Sequence, residues 1–160
     1  MRRRLKQAAL VFLAVCLAAQ FVRPSRANPP FDPSHTIQAQ AGIPSGLGAV
    51  LDRGCGDCHS NQTVWPSFTQ VAPLSWLMAY GVKQGRKAVN FSEWSAYEPN
   101  RQRELLVESC RDASRGKMPG GLYTTLRPLT RLSAKDVETI CAAAGQTGAD
   151  AASPREGGKP

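Results

Sequence analysis

Apolar side chains along this chain recur at helical spacing, and no segment alternates well enough to be a strand. The clearest helix runs from Ser133 to Ala144. Val137, Ile140, Cys141 and Ala144 share one face there, and Ser133 with Asp136 three residues later makes a capping-box-like start. A second helix is predicted from Pro99 to about Ala113, with Pro99 suited to the first turn and Leu105, Leu106 and Cys110 on a common face. A third begins near Pro73 and carries Leu74, Leu77, Met78 and Val82 along its apolar side. Gly46 to Arg53 predicts a short helix, weakened by Gly46 and Gly48. The connections are rich in Gly, Pro and Asn, so they read as long loops able to close over a flat ligand. The predicted class is mainly α, a small domain of short helices and long loops.

The two ends follow other patterns. Arg2, Arg3, Arg4 and Lys6 form a basic lead, Ala8 to Val22 is apolar apart from Gln20, and Ser25-Arg26-Ala27 offers small residues around a cleavage point before Asn28. Residues 1–27 are therefore expected to be a signal peptide or an N-terminal membrane anchor. The apolar stretch is shorter than the ~20 residues a spanning helix usually needs. Lipidation at Cys16 is disfavoured, because Val15 before it is larger than that processing prefers. Residues 28–46 contain Pro29, Pro30, Pro33, Gly42, Pro44 and Gly46 and read as an extended lead-in. Residues 145–160 lack large apolar side chains and are expected to be a disordered tail, since they cannot offset chain entropy by burial. One compact domain remains, residues 47–144, with no internal repeat. A domain this small has a thin core, which a large bound apolar group would strengthen.

The formal charge of +8 does not mark a nucleic-acid binder. Six of the 20 basic residues and none of the 12 acidic ones precede residue 28, so the rest is nearly balanced. The folded part has no basic stripe interleaved with aromatics.

The chemistry-bearing motif is Cys55-Gly56-Asp57-Cys58-His59. Two thiols and an imidazole at C-x-x-C-H spacing are what covalent c-type haem attachment requires: Cys55 and Cys58 as thioethers and His59 as the proximal iron ligand. A thioredoxin-like pair would need a βαβ context, and none is visible. A structural zinc site would need four ligands, whereas Cys110 and Cys141 are single and distant and the only other histidine is His35. The exported N-terminus agrees with the haem reading.

For the other face of the iron, Met118 is preferred. It lies in Gly116-Lys117-Met118-Pro119-Gly120-Gly121, where no packing role competes and the glycines allow close backbone approach. A thioether opposite histidine favours ferrous iron and raises the potential. Met78 reads as a core residue and His35 as exposed. The free ring N–H of His59 should donate to a backbone carbonyl, with Pro66 and Pro73 as candidates. Trp65, Trp76 and Trp94 either edge the haem or pack in the core. Arg53, Arg86, Lys87 and Arg127 are propionate partners or solvated surface, and Glu93 caps a helix or faces solvent. Cys110 and Cys141 either pair or stay as buried thiols.

Beyond this motif the chain resembles the bacterial haem-binding domain family. The resemblance rests on Cys58-His59-Ser60-Asn61-Gln62-Thr63-Val64-Trp65-Pro66, Val71-Ala72-Pro73-Leu74-Ser75-Trp76-Leu77, Gly85-Arg86 and Asn90-Phe91-Ser92-Glu93-Trp94. Met118-Pro119, Tyr123, Pro128 and Leu132-Ser133 resemble its closing segment, and Arg23-Pro24 to Asn28-Pro29-Pro30 is similar to its membrane-proximal lead-in. The resemblance covers about residues 21–144. It implies a small, cytochrome-c-like helical domain around one covalently bound haem c, with Cys55, Cys58 and His59 as attachment and ligation residues and Met118 as distal ligand. Two departures stand out: Arg127 precedes Pro128 where the family usually has a histidine, and Gly120-Gly121 replaces aromatics after the Met-Pro pair.

The expected function is that of an exported monohaem c-type cytochrome performing one-electron transfer. Its partner would be a periplasmic or membrane redox protein. Its expected location is the bacterial periplasm, either soluble after cleavage near Ala27 or anchored to the inner membrane. No catalytic triad, phosphate loop or carboxylate pair points to an enzyme. The alternatives are a haem enzyme or ligand sensor with an open or displaceable sixth site, and a module that holds haem for a partner.

Overall fold

The computed structural model describes residues 1–40, 43, 44 and 46–145, and these form helices joined by loops with no strand. The α-helices are α1 (Arg2–Ala19), α2 (Leu47–Gly54), α3 (Gly56–His59), α4 (Leu74–Ala88), α5 (Pro99–Ser114), α6 (Gly121–Leu126) and α7 (Ala134–Ala143). Short 3-10 turns occupy Pro33–His35, Ile37–Ala39, Ser67–Gln70, Phe91–Ala96 and Pro128–Thr130. The mainly helical class expected from the pattern is what the chain adopts.

The local signals act where expected. At the start of α7 the Ser133 hydroxyl accepts from the Asp136 N–H while the Asp136 carboxylate accepts from the Ser133 N–H, a complete capping box. Pro99 occupies the first turn of α5, where its missing N–H leaves no intrahelical bond unmade. α5 packs on α7, and a Cys110–Cys141 disulfide with Cα atoms 4.8 Å apart joins them. That separation lies inside the range a disulfide tolerates, which decides between pairing and free thiols. α2 lies against α7, and α3 against α4.

α4 differs from expectation in its rotation. Met78 and Val82 are buried as predicted, but their companions are Ser75 and Gly85, and Leu77 is 54% exposed. Gly85 marks this inner face because α3 comes very close there, and small residues carry no hydropathy signal. The lead-in is also more structured than an extended segment. It forms two 3-10 turns, and Ile37 is fully buried in the core beside Leu47 and Leu51. No described helix is long and apolar enough to cross a membrane. The tail expectation, except Gly145, lies outside the described residues.

Candidate functional site

α2 ends at Gly54, Cys55 follows as its C-cap, and α3 is a single turn. The N–H groups of Cys58 and His59 both donate to the Cys55 carbonyl, at 3.1 and 3.0 Å. That turn puts both thiols and the imidazole on the wall of one cavity, and Met118 lies on the same wall. The cavity holds about 950 Å³ of empty space, part of it open to solvent. Apolar side chains dominate the remainder of its wall, among them Leu51, Phe91, Leu105 and Ile140.

The surroundings of His59 suit metal ligation. Its Nδ1 lies 3.2 Å from the Val89 carbonyl, an acceptor, so Nδ1 carries the proton and the Nε2 lone pair is left for a metal. Burial lowers its pKa, against the raising effect of that carbonyl, and keeps the ring neutral. The anticipated acceptors, Pro66 and Pro73, are replaced by Val89, just past the end of α4. Gly85 makes this possible, since a Cβ there would stand 2.4 Å from the Cys58 carbonyl oxygen. Only glycine lets α4 lie this close to the motif.

Another part of the wall hangs from the end of α5. Gly116 has φ +63°, its N–H donates to the Ala113 carbonyl at 3.0 Å, and the Lys117 N–H donates to the Asp112 carbonyl at 2.9 Å. This Schellman closure turns the chain so that Met118 meets the cavity. Met118 itself is 49% exposed. Met78 is a core residue and His35 is exposed, and neither lines the cavity.

One cluster was not anticipated. Asp57, inside the motif, accepts from the Val64 N–H at 2.9 Å, from the Tyr123 hydroxyl, and from Arg127 in an ion pair at 3.2 Å. Asp57 and Tyr123 both line the cavity. Burial first, then the Asp57 carboxylate, pushes the Tyr123 hydroxyl well above its ordinary pKa, so it remains a donor. The only sequence hint was the spacing of Tyr123 and Arg127, four apart as on one helix face.

The proposed propionate partners are mostly engaged elsewhere. Arg53 pairs with Asp136 at 2.7 Å, and Arg86 donates to the Ser60 carbonyl, Asn28 and Thr63. Lys87 is exposed. None of the three tryptophans lines the cavity: Trp94 is buried in the core with its ring tilted against Phe91, and Trp65 and Trp76 lie elsewhere. Glu93 accepts from the Asn61 amide at 2.9 Å.

The alternatives to haem lack their requirements. Burial pushes the Cys55 thiol up to about 12 and the Cys58 thiol up to about 11, whereas a redox-active pair needs a stabilised thiolate. Among the described residues no three His, Cys, Asp or Glu side chains gather as a metal-holding group. A flat, largely apolar cofactor suits a mostly apolar wall that two thiols and an imidazole also line. No curated protein and no solved structure matches the chain at a significant level. A sequence model described as the haem-binding domain matches residues 14–146, most of the chain, and so this chain belongs to the haem-binding domain family.

Proposed function

We propose that this chain is an exported monohaem c-type cytochrome that carries single electrons between partner proteins. The observation that carries the reading is that Cys55, Cys58, His59 and Met118 line one apolar cavity, with His59 Nδ1 bonded to Val89 and Nε2 left for iron. When bound, the haem supplies an iron that alternates between ferrous and ferric states. Cys55 and Cys58 would hold it through thioethers, and the Val89 carbonyl fixes the His59 ring. Met118 would supply a second iron ligand through its sulfur, favouring the ferrous state. Wall residues such as Leu51 and Ile140 exclude water and further favour the less charged centre. The Cys110–Cys141 disulfide supports an oxidising compartment such as a bacterial periplasm. In this role the protein needs no substrate site, only a small, weak contact with a redox partner.

Two measurements test the reading. Haem should remain with the protein after acid–acetone extraction and be released from a Cys55→Ala/Cys58→Ala variant; extraction of haem from the wild type would rule out covalent attachment. The oxidised protein should show the weak near-infrared sulfur-to-iron band, lost in Met118→Leu. An unchanged spectrum in that variant would defeat the Met118 assignment. The half-exposure of Met118 favours a second reading, a ligand sensor or haem enzyme with a displaceable sixth ligand. Rapid carbon monoxide binding by the reduced wild type would select it.

A further inference from the structure

The stretch joining α1 to the haem domain is not a free tether. Gln20 pairs with the Ala72 peptide, its Nε2 donating to the carbonyl at 3.4 Å and its Oε1 accepting from the N–H at 2.9 Å. The Trp76 indole donates to the Val22 carbonyl at 2.7 Å. Asn28 donates to the Thr63 carbonyl and accepts from Arg86, each at 2.9 Å. The strap therefore ends on the loop before α4 and on α4 itself. Cleavage after Ala27 would remove Gln20 and Val22 and strip the Ala72 N–H and the Trp76 indole of their partners. α1 meanwhile buries none of its side chains, and Leu10, Phe12, Val15 and Leu17 are each more than half exposed. So large an apolar surface calls for cover from outside the domain.

The face of α4 beside this junction supplies the matching chemistry. Its inward stripe is Ser75, Met78, Val82 and Gly85. The opposite sector carries Trp76, Leu77, Tyr80, Lys83 and Lys87, all exposed, with Tyr80 at 65%. No acidic residue occurs in α4, and none precedes Asp32 in the chain. Aromatic rings and lysines along one face are what a bilayer interface selects. Trp and Tyr sit at headgroup depth, and Lys stems lie in the apolar layer with their ammonium groups on lipid phosphates.

We propose that the haem domain lies on an anionic phospholipid surface through the outer face of α4, with α1 retained and inserted in the apolar layer. A second copy of the chain could cover the apolar side chains, but neither α1 nor α4 offers an acid to Lys83 and Lys87, whereas lipid phosphates do. The proposal requires α1 to enter the apolar layer, not to cross it, and is independent of what the haem does.

The test uses the full haem-loaded chain. Its intact mass after purification from membranes should include residues 1–27; a mature protein starting at Asn28 overturns the proposal. Benzoylphenylalanine placed at Tyr80, or as a control at the exposed Leu129, is photolysed on phosphatidylcholine–phosphatidylglycerol vesicles. Lipid adducts should form at position 80 and not at 129. Adducts at both or at neither, or cross-links between protein copies at 80, overturn it. Lys83→Gln and Lys87→Gln should each weaken partition onto vesicles containing phosphatidylglycerol about fivefold, with no change on pure phosphatidylcholine. Equal behaviour on the two lipids counts against the face.

Discussion

Gly81 and Gly85 stand one turn apart on α4, yet replacing them with alanine should act in opposite directions. Alanine is preferred to glycine inside a helix by about 0.5–1 kcal/mol. At Gly81 a Cβ would meet no heavy atom within 4 Å, so Gly81→Ala should gain that amount in full. At Gly85 the Cβ would stand 2.4 Å from the Cys58 carbonyl oxygen, 2.9 Å from its carbon and 3.1 Å from the Cys58 Cβ. Two of these are backbone atoms that cannot rotate aside, so relief requires α3 and α4 to separate by about 1 Å. Overpacking of this kind costs about 1–3 kcal/mol, more than the propensity gain, and the net loss should be about 1–2 kcal/mol. Urea unfolding of the haem-loaded chain provides the assay. With a slope of about 1–3 kcal/mol/M, the two midpoints should move in opposite senses by some tenths of a molar unit or more. Separation of α3 from α4 also stretches the His59–Val89 bond, so the haem absorption of Gly85→Ala should shift while that of Gly81→Ala does not. If Gly85→Ala unfolds at a midpoint equal to or above the wild type, the close approach at Cys58 does not limit the packing, and the account of how α4 positions His59 fails.

Three further outcomes follow from other parts of the molecule. Ser133→Ala should cost about 1 kcal/mol in urea unfolding. The Ser133 N–H and hydroxyl, then Arg53, hold Asp136 down to about 2, so its contribution is complete above the unfolded carboxylate range and disappears as pH falls through about 2. The Ser133→Ala deficit should shrink over that acid window, and a deficit independent of pH would contradict the cap. Replacing Cys110 and Cys141, 31 residues apart, with alanine should lower stability by about 3–4 kcal/mol relative to the oxidised wild type; no change would mean that α5 and α7 hold together without the link. Because the Tyr123 pKa is raised, that residue's contribution is complete below the unfolded tyrosine value near 10 and declines as pH rises beyond it. Tyr123→Phe should remove that alkaline loss, which denaturation midpoints at pH 9 and pH 11 will reveal; an equal loss in the variant places its origin elsewhere.

The features legible in the sequence were those whose cause is local. The capping box at Ser133, the proline opening α5 and the C-x-x-C-H turn each depend on residues within a few positions of one another. The turn that brings Met118 to the cavity wall is local as well, set by the glycine at 116 that closes α5. What escaped depends on close approach between distant segments. The rotation of α4 turns Gly85 toward α3, and the merit of that residue is its small size. The acceptor for His59 is a backbone carbonyl, so no side chain at position 89 announces it. Asp57 occupies a variable position of the motif and meets a partner 66 residues away, across a fold the sequence does not display. The strap bonds at Gln20 and Val22 lay in a segment whose apolar character spoke only of export or anchoring.

The cavity and the core are one structure. Leu51, Val89, Phe91, Leu105, Ala113 and Ile140 belong to both the buried cluster and the cavity wall. The helices form two packed pairs, α5 with α7 and α3 with α4, and α2 touches one member of each. His59 comes from the second pair and Met118 hangs from the end of the first, so under the proposed ligation the iron would join the pairs across the space between them. The disulfide closes the first pair, and Gly85 sets the spacing of the second, without reference to the cofactor. A domain of about 100 residues buries too little surface to hold such pairs together by a large margin. A haem held in the cavity would therefore add apolar contact to a small core. The separation of the two ligands would be set by preformed pairs and would change little between oxidation states, which is what rapid electron transfer requires of a carrier.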